Sequence, residues 1–259
     1  MREIETVLLE ARPETADAVT LRLGLKKTSF SYRPGQHVRL DPLQFEALRP
    51  HLGDGPVRPA FFSLSSDALD SGTIEITVKD PGAGKPGAAS YLVRQARPGE
   101  RIRVAGPLGR YCLPPEPPPG VQGFLHLCAG SGVAPNRGMI RHALARGWTQ
   151  RHLLILQNRT EQDVLFRAEW EELRRRYGDR LRVRHVFSRS AGEYVSEDLV
   201  RREMRGYLDP DASWAFVCGP NAPRGDRPGF ADCWRGSAAL GRAGILRALG
   251  FRPECILSE

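Results

Sequence analysis

The chain has 259 residues, of which 41% are hydrophobic, so it can bury the cores of two ordinary domains or of one large one. Its formal net charge is +8, yet it contains neither a dense basic tail nor a basic strand interleaved with aromatic residues, which disfavours nucleic acid as a partner. An acidic protein partner or an anionic cofactor accounts for the basic charge at least as well.

The sequence also disfavours membranes, secretion and metal centres. The N-terminal residues are charged throughout, unlike a signal peptide, and no apolar run approaches the roughly 20 residues that cross a bilayer. The five cysteines are widely separated and lack metal or iron–sulfur spacing. We therefore expect a reduced, cytoplasmic protein without membrane insertion, a metal or an iron–sulfur cluster.

Residues 1–113 have the pattern of a β domain. Segments 19–25 and 74–78 alternate apolar with polar or small residues, and shorter apolar runs lie at 37–40, 61–64 and 102–104. Turn signals rich in Pro, Gly and Asp separate these runs, while residues 42–57 are too long for a hairpin and predict a surface loop or short helix. The pattern indicates an antiparallel barrel or sandwich.

Residues 114–120 are dense in proline and predict a linker, because proline cannot join a sheet and favours an extended spacer. After it, predicted strands alternate with predicted helices over residues 121–259. The strands are residues 124–128, 153–157, 181–187, 214–218 and 255–257, and the helices are 163–177, 196–204 and 237–249. This order predicts an α/β domain with a parallel sheet and a ligand at the carboxyl ends of its strands.

Residues 124–146 read as strand, glycine turn and helix, the arrangement of a nucleotide site. The turn and the start of its helix comprise Gly130, Ser131, Gly132, Val133, Ala134 and Pro135. Glycine lets the backbone approach a diphosphate, and helical N–H groups favour its charge. Because the sequence G-S-G-V-A-P lacks the third glycine of the dinucleotide motif, a purely structural turn is the alternative.

Three further strand ends carry polar or small residues. They are Asn158 with Arg159, then Ser188 with Arg189, and finally Cys218, Gly219 and Pro220. On one sheet edge these side chains would form a cradle for a phosphorylated cofactor. The alternative is that the two arginines are ordinary surface residues and that Cys218 is a buried core thiol.

Six short motifs in order give the chain its resemblance to a known family. They are Pro34-Gly35-Gln36, Ala60-Phe61-Phe62-Ser63, Gly87-Ala88-Ala89-Ser90, Gly106-Pro107-Leu108-Gly109, the turn of residues 130–135, and Cys218-Gly219-Pro220. With these motifs the chain resembles the ferredoxin–NADP⁺ reductase superfamily, in which an antiparallel flavin-binding barrel precedes a nicotinamide-nucleotide-binding α/β domain. The resemblance implies residues 1–113 for the barrel and 121–259 for the second domain.

The resemblance also implies site residues in the barrel. Phe61, Phe62 and Ser63 would lie against the flavin, with Val78 and Lys79 as further contacts, and Gly87, Ala88, Ala89 and Ser90 would hold its phosphate. One departure concerns Ala60, which stands where the family has a phosphate-binding arginine. Arg58, two residues earlier on the same face of an extended strand, is the candidate replacement.

The implied activity is an NAD(P)H-dependent flavin reductase without a ferredoxin domain of its own. Ser63 would bond near flavin N5, Cys218 would stand against the nicotinamide, and Glu259 would serve a proton or orientation role. The expected cofactor is FAD, with FMN as the alternative. The expected partner is a separate acidic acceptor: a ferredoxin, a flavodoxin or an oxygenase component. The rival interpretations are a flavin-binding regulatory or electron-transfer subunit that does not turn over alone, and a dehydrogenase without flavin.

Ser188 and Arg189 also predict which nicotinamide nucleotide the chain uses. A hydroxyl beside a guanidinium suits the 2′-phosphate of NADPH, whereas NADH selectivity usually requires a carboxylate at the ribose. No carboxylate follows this strand before Glu193, so the sequence favours NADPH over NADH.

Overall fold

The computed structural model describes residues 2–25, 29–52, 56–82, 87–220, 230–237 and 242–258. The chain divides into two compact units. The first contains Met1–Leu113 together with Arg137–His142, and the second contains Pro114–Asn136 and Ala143–Glu259. The predicted catalytic residue Glu259 lies outside the described residues.

The first unit is built on a six-stranded antiparallel sheet with strand order β4-β3-β6-β1-β2-β5. A bridge between Leu64, just after β4, and Ile76 of β5 joins the two edge strands, so the sheet closes as a barrel. The strands are β1 (Arg2–Thr15), β2 (Ala18–Gly24), β3 (His37–Leu40), β4 (Ala60–Ser63), β5 (Thr73–Lys79) and β6 (Arg101–Leu108). The predicted antiparallel barrel is confirmed.

Alternation of side chains explains the core of this barrel. Leu21 and Leu23 of β2 and Ile74 and Ile76 of β5 are fully buried, as the period of two predicts. The longest strand, β1, was not predicted, because its apolar residues do not alternate regularly: polar Thr6 faces inward, whereas apolar Leu9 is exposed. Its inward residues are Ile4, Thr6 and Leu8.

Two short elements complete the barrel unit. Residues 42–51 form two consecutive 3-10 helices, Pro42–Gln44 and Glu46–His51, as the loop-or-short-helix prediction allowed. The segment after Gly87 was expected to be a phosphate-holding loop, but Ala88–Arg94 is a short helix, α1. Gly87 precedes it in an extended conformation.

Residues 137–142 attach to the barrel unit through charged groups. Arg137, whose side chain is 3% exposed, donates from Nη1 to the Ser65 carbonyl at 3.0 Å and to Glu75 Oε2 at 2.6 Å. Beside this pair, the Tyr32 hydroxyl lies 2.6 Å from Ser66 Oγ, and burial raises the pKa of Tyr32 to about 12. Arg137 is compatible with burial because a carboxylate and a carbonyl satisfy it together.

The second unit is built on a five-stranded parallel sheet with order β13-β10-β7-β8-β9. Its strands are β7 (Gly123–Ala129), β8 (Arg151–Asn158), β9 (Leu181–Phe187), β10 (Ser213–Cys218) and β13 (Ile256–Ser258). The helices between them are α2 (Val133–Ala145), α3 (Arg167–Tyr177), α4 (Glu197–Met204) and α5 (Phe230–Arg235). From β7, the chain first adds β8 and β9 on one side of the sheet and then adds β10 and β13 on the other side. The topological switch point therefore lies between β7 and β10.

Two predicted helices differ from the observed ones. The helix predicted from residue 163 begins at Arg167, because Phe166 has a left-handed backbone (φ 59°) and residues Glu161–Asp163 form a separate 3-10 turn. The helix predicted over 237–249 is wrong for the part that the structure describes. There, β11 (Gly236–Ser237) pairs with β12 (Arg242–Ala243), and only α6 (Ile245–Ala248) is helical.

Gly244 accounts for the break in the helix predicted over 237–249. Gly244 precedes α6 in an extended conformation (φ −71°, ψ 149°), and glycine in a helix interior costs about 0.5–1 kcal/mol relative to alanine. In the described part of the predicted helix, this break leaves the single turn Ile245–Ala248. By contrast, α4 follows its sequence signal, since the Ser196 hydroxyl accepts from the Leu199 N–H at 3.2 Å as an N-cap.

Across the described ranges, no helix combines the length with the apolar character that a membrane span requires.

At the switch point, the turn after β7 approaches the end of β10 so closely that only glycine fits. A Cβ atom added at Gly132 would lie 2.3 Å from the Cys218 carbonyl oxygen and 3.0 Å from the Gly219 nitrogen. Both are backbone atoms of a strand end, which cannot rotate away as a side chain could. The glycine in the predicted turn is therefore required by the fold.

We expect Gly132→Ala to destabilise the second unit by about 1–3 kcal/mol, the usual range for forcing an extra carbon into a filled space. The measurement is urea unfolding of the whole chain. Gly147→Ala is the control: a Cβ there meets no atom within 4 Å and costs only the strain of a positive φ (75°). If both variants lose the same free energy of unfolding, the close contact with the Cys218 backbone does not explain the effect of Gly132→Ala.

Candidate functional site

The glycine turn forms the centre of the crevice at the carboxyl edge of the parallel sheet. Residues Gly130–Gly132 make a 3-10 turn directly after β7, and α2 begins at Val133. Gly130 has a left-handed backbone (φ 55°) and open space where a Cβ would be. Pro135 falls in the first turn of the helix, where its missing N–H costs no hydrogen bond, as the sequence predicted.

The six residues predicted around this turn contribute in different ways. Ser131 is exposed at the turn, whereas the side chains of Val133 and Ala134 are buried in the core. These two therefore offer a ligand only their backbone groups. The helix N-terminus and the adjacent glycines give the turn the polarity and space that a diphosphate needs.

Cys218 closes the other side of the switch point. It ends β10 in register with Cys128 of β7, and its side chain is 8% exposed. Burial, and then the neighbouring Cys218, raise the pKa of the Cys128 thiol well above its ordinary value, so Cys128 is a neutral core thiol. Next in the chain, Gly219 lies against Phe230, whose ring would be 2.7 Å from an added Cβ. The structure thus brings together the turn of residues 130–132 and the segment Cys218–Gly219, as predicted.

The predicted pair Ser188 and Arg189 follows β9 on the same edge. The Ser188 N–H and hydroxyl both donate to the Asn158 carbonyl, at 2.9 and 3.2 Å, which joins the ends of β8 and β9. The Arg189 guanidinium is exposed, and no described residue pairs with it. The nearest following carboxylate, Glu193, accepts from Arg184 at 2.6 Å. A cation is therefore available at this strand end, whereas the carboxylate is engaged.

Arg159 differs from the expectation that it is available to a phosphate. Its guanidinium forms an ion pair with Asp163, with Nε 2.9 Å from Oδ1. Burial raises the pKa of Asp163, but hydrogen bonds from Arg159 and Thr160 outweigh burial and hold the pKa below its ordinary value. Arg159 is thus charge-compensated within its own loop.

The first unit has a pocket of about 390 Å³ where the flavin phosphate is predicted. Arg58 and Ala60 both line it, as does the segment Gly87–Ser90. The remaining lining residues are Pro42, Leu52, Pro56, Val57 and Pro81. Arg58, the proposed replacement for the family arginine, therefore borders the same cavity as the predicted phosphate loop.

The Ser90 hydroxyl stabilises the turn at Gly87 that begins helix α1. The hydroxyl donates to the Gly87 carbonyl at 2.9 Å and accepts from the Gly87 N–H at 3.0 Å. The hydroxyl is therefore occupied by the turn that it stabilises. Among the described residues that line the pocket, the positive charge comes from Arg58, which is exposed.

The predicted flavin-facing residues occupy both faces of β4. Phe61 is 56% exposed and meets the His37 ring edge-to-face, with centroids 5.6 Å apart. Phe62 is half-buried and packs against the barrel core, and Ser63 pairs in register with His37. Alternation along the strand places Phe61 and Ser63 on one face and Phe62 with Ala60 on the other.

Val78 and Lys79, the further predicted flavin contacts, have other surroundings in the barrel. Val78 is buried in the barrel core, and the Lys79 ammonium lies 3.1 Å from Asp17 Oδ1. Neither is among the described residues that line the pocket. Both stand at the end of β5, where the period of two buries Val78 and sends Lys79 to the opposite face.

Comparison with known proteins places these features in a family. Residues 127–223 match the family model for the oxidoreductase NAD-binding domain. Over 231 residues the chain is 33% identical to an NADPH oxidoreductase of Mycobacterium tuberculosis, covering 85% of this chain and 54% of that protein. Over 219 residues it is 32% identical to the ferredoxin reductase component of a 3-ketosteroid-9-alpha-monooxygenase of Mycolicibacterium smegmatis, covering 84% and 58%. The chain thus spans somewhat more than half the length of these relatives.

Among solved structures, the cytochrome P450 reductase GcoB of Amycolatopsis is similar in fold, with a TM-score of 0.77 and 21% identity, covering all of this chain and 69% of the other. The fold agrees with the closed barrel followed by a parallel sheet with its switch point at β7 and β10. With a glycine turn, a Cys-Gly-Pro segment and relatives of this kind, the chain belongs to the ferredoxin–NADP⁺ reductase superfamily.

Proposed function

We propose that this chain is an NAD(P)H-dependent flavin reductase that passes electrons to a separate acceptor protein. The observation that carries the proposal is the glycine turn of residues 130–132 set against Cys218–Gly219 at the switch point of the sheet. Open α/β sheets bind nucleotides at this point. The relatives named as an NADPH oxidoreductase and as a ferredoxin reductase component support the same activity.

A bound flavin would accept a hydride from the reduced nicotinamide and release electrons one at a time. The chain's own residues have binding and orienting roles. The turn of residues 130–132 and the first N–H groups of α2 bind the diphosphate of the nicotinamide nucleotide, and Cys218 borders its nicotinamide end. In the barrel, Arg58 and the Gly87–Ser90 segment bind the flavin phosphate, while Ser63 is proposed to bond near flavin N5. A role for Glu259 stays a prediction.

We propose FAD as the flavin and a ferredoxin, flavodoxin or oxygenase component as the acceptor. The name of the monooxygenase reductase component supports an oxygenase system. The chain's net charge of +8 favours an acidic acceptor, because opposite charges speed the encounter of two proteins. Releasing the flavin by heat and identifying it by chromatography separates FAD from FMN.

The visible absorption spectrum of the purified chain tests the central proposal. We expect flavin bands that bleach anaerobically when NADPH or NADH is added, because hydride transfer reduces the flavin. Dithionite serves as the control, since it reduces any accessible flavin without a nucleotide site. Bands that bleach with dithionite alone would identify a flavin-binding regulatory subunit, and absence of flavin after reconstitution with FAD would contradict both functions.

Arg58→Ala should loosen the flavin. Arg58 lines the pocket in which Ala60 supplies no charge, and a hydrogen bond to a charged group contributes about 1.5–3 kcal/mol. We expect the flavin dissociation constant to rise about ten- to a hundredfold, measured by fluorescence of released flavin after dialysis. Arg101→Ala is the control, since Arg101 is an exposed arginine of β6 outside the pocket. Equal retention by both variants would assign the phosphate to the Gly87–Ser90 backbone.

Arg189→Ala should change the choice of nucleotide. The exposed Arg189 guanidinium has no described partner, so it is available to the 2′-phosphate of NADPH. We expect the KM for NADPH to rise about ten- to a hundredfold while that for NADH changes little. Arg175→Ala on α3 controls for the loss of one exposed charge. An equal effect on both nucleotides, or a wild type that prefers NADH, would refute the assignment of Arg189 and the preference for NADPH.

A further inference from the structure

A line of buried polar side chains runs from strand β8 to the glycine turn in the second unit. His152 Nδ1 lies 3.1 Å from His126 Nε2, and His126 Nδ1 lies 2.8 Å from Asn136 Oδ1. Asn136 Nδ2 then donates to the Gly132 carbonyl at 3.0 Å. All three side chains are fully buried. Buried polar groups are costly unless they bond to one another, so this line requires an explanation.

The chemistry of the four groups fixes the direction of the hydrogen bonds. The Gly132 carbonyl can only accept, so Asn136 must present its amide N–H to it and its oxygen to His126. His126 therefore carries its proton on Nδ1. A neutral His126 then accepts at Nε2, which requires a proton on Nδ1 of His152. Every donor in the line points toward Gly132.

Both imidazoles are neutral in this environment. Burial lowers the pKa of His126 to about 4, although the bond to Asn136 opposes the shift. Burial, and then the neighbouring His126 and Arg180, lower the pKa of His152 well below its ordinary value. The line therefore keeps one pattern of donors and acceptors at neutral pH. Successive hydrogen bonds in a low dielectric polarise and strengthen one another.

Aromatic packing holds the central histidine in its plane. The His126 ring stacks on Phe216 of β10, with centroids 5.4 Å apart and 12° between planes. On β8, the ring of His152 stacks on His126 at 5.3 Å and 16°. Rotation of the imidazole away from Asn136 would break these contacts.

Gly132 is thus restrained from two directions. Its Cα abuts the Cys218 backbone, where an added carbon would lie 2.3 Å from the carbonyl oxygen. Its own carbonyl is held by Asn136, four residues later on the first turn of α2. The first restraint limits how near the turn comes to β10, and the second limits how far the turn and the helix start move apart.

We propose that Asn136 and His126, supported by His152, are positioning residues that hold the turn of residues 130–132 in the geometry that binds the diphosphate of the nicotinamide nucleotide. The inference rests on the proposed function, because it assigns a second layer of residues to the same site. None of the three side chains contacts the ligand, since all are fully buried. They act through Gly132.

Affinity for the oxidised nucleotides NADP⁺ and NAD⁺, measured by titration calorimetry on the whole chain, tests the proposal. Asn136→Leu keeps the branched shape of the side chain and removes the hydrogen bonds of the amide, so we expect about three- to tenfold weaker binding of both nucleotides. The diphosphate is common to both, so the effect should not depend on the 2′-phosphate.

Two variants of His126 separate positioning from stability. Asparagine places a donor near the Nδ1 position, so His126→Asn retains the bond to Asn136 and loses the bond to His152. Glutamine places its amide near the Nε2 position, so His126→Gln retains the bond to His152 and loses the bond to Asn136. Each leaves a buried polar atom unpaired and should lower thermal stability. His126→Gln should weaken nucleotide binding by about the same factor as Asn136→Leu, whereas His126→Asn, which loses only the supporting bond to His152, should weaken it by a clearly smaller factor.

His185→Gln is the matched control, because His185 lies on β9 and stacks on Phe187 outside this line. It should leave the affinity unchanged. If His126→Asn and His126→Gln bind equally well, or Asn136→Leu binds like the wild type, the three residues are only core groups and the proposal is wrong. A wild type that binds neither nucleotide would overturn the proposed function itself.

Nitrogen NMR of histidine-labelled protein provides a readout that needs no nucleotide. The proposal requires both His126 and His152 to be neutral at pH 7 with the proton on Nδ1, assigned by the loss of each signal in its own variant. A proton on Nε2 of His126 would mean that Asn136 is not held in the direction described, and would refute the proposal independently of binding data.

Discussion

The approach of Gly132 to the Cys218 carbonyl is the constraint on which the second unit depends. The two residues stand on either side of the switch point, so their distance sets the width of the crevice between the glycine turn and the Cys-Gly-Pro segment. Only a residue without a Cβ permits this distance. Gly130, which has open space where a Cβ would be, leaves the turn accessible to a ligand, whereas Gly132 closes the core beneath it.

The neighbouring side chains show how little of this crevice depends on exposed polar residues. Val133 and Ala134 are buried, Arg159 is neutralised by Asp163, and Asn158 joins strand ends through its carbonyl. Among the described residues of this edge, the groups open to a ligand are backbone N–H groups, glycine surfaces, and the exposed Ser131 and Arg189. A diphosphate suits this set, because fixed backbone dipoles bind it without the entropy cost of ordering long side chains.

The pocket of the barrel also combines backbone groups with a charged side chain, but the charge stands at a different position from that of the family arginine. Ala60 cannot supply the charge that the family arginine brings, but Arg58 lines the same pocket two residues earlier on the same face of the chain. The Ser90 hydroxyl, bound to Gly87 on both sides, rigidifies the loop beside it. Among the described residues, the pocket thus combines a preorganised backbone segment with the exposed guanidinium of Arg58.

The sequence by itself determined the two-part architecture, because strands with one buried face alternate with period two and because glycine and proline mark turns wherever they occur. It also determined the glycine turn and the Cys-Gly-Pro segment, whose chemistry is local to a few consecutive residues. The tertiary structure alone decided the rest. Strand β1 was missed because polar Thr6 is buried while apolar Leu9 is exposed, which breaks the apolar alternation. The predicted helix over 237–249 failed where Gly244 interrupts it. The line from His152 to Gly132 joins residues separated by up to 26 positions, and such pairs meet only when neighbouring strands set their register.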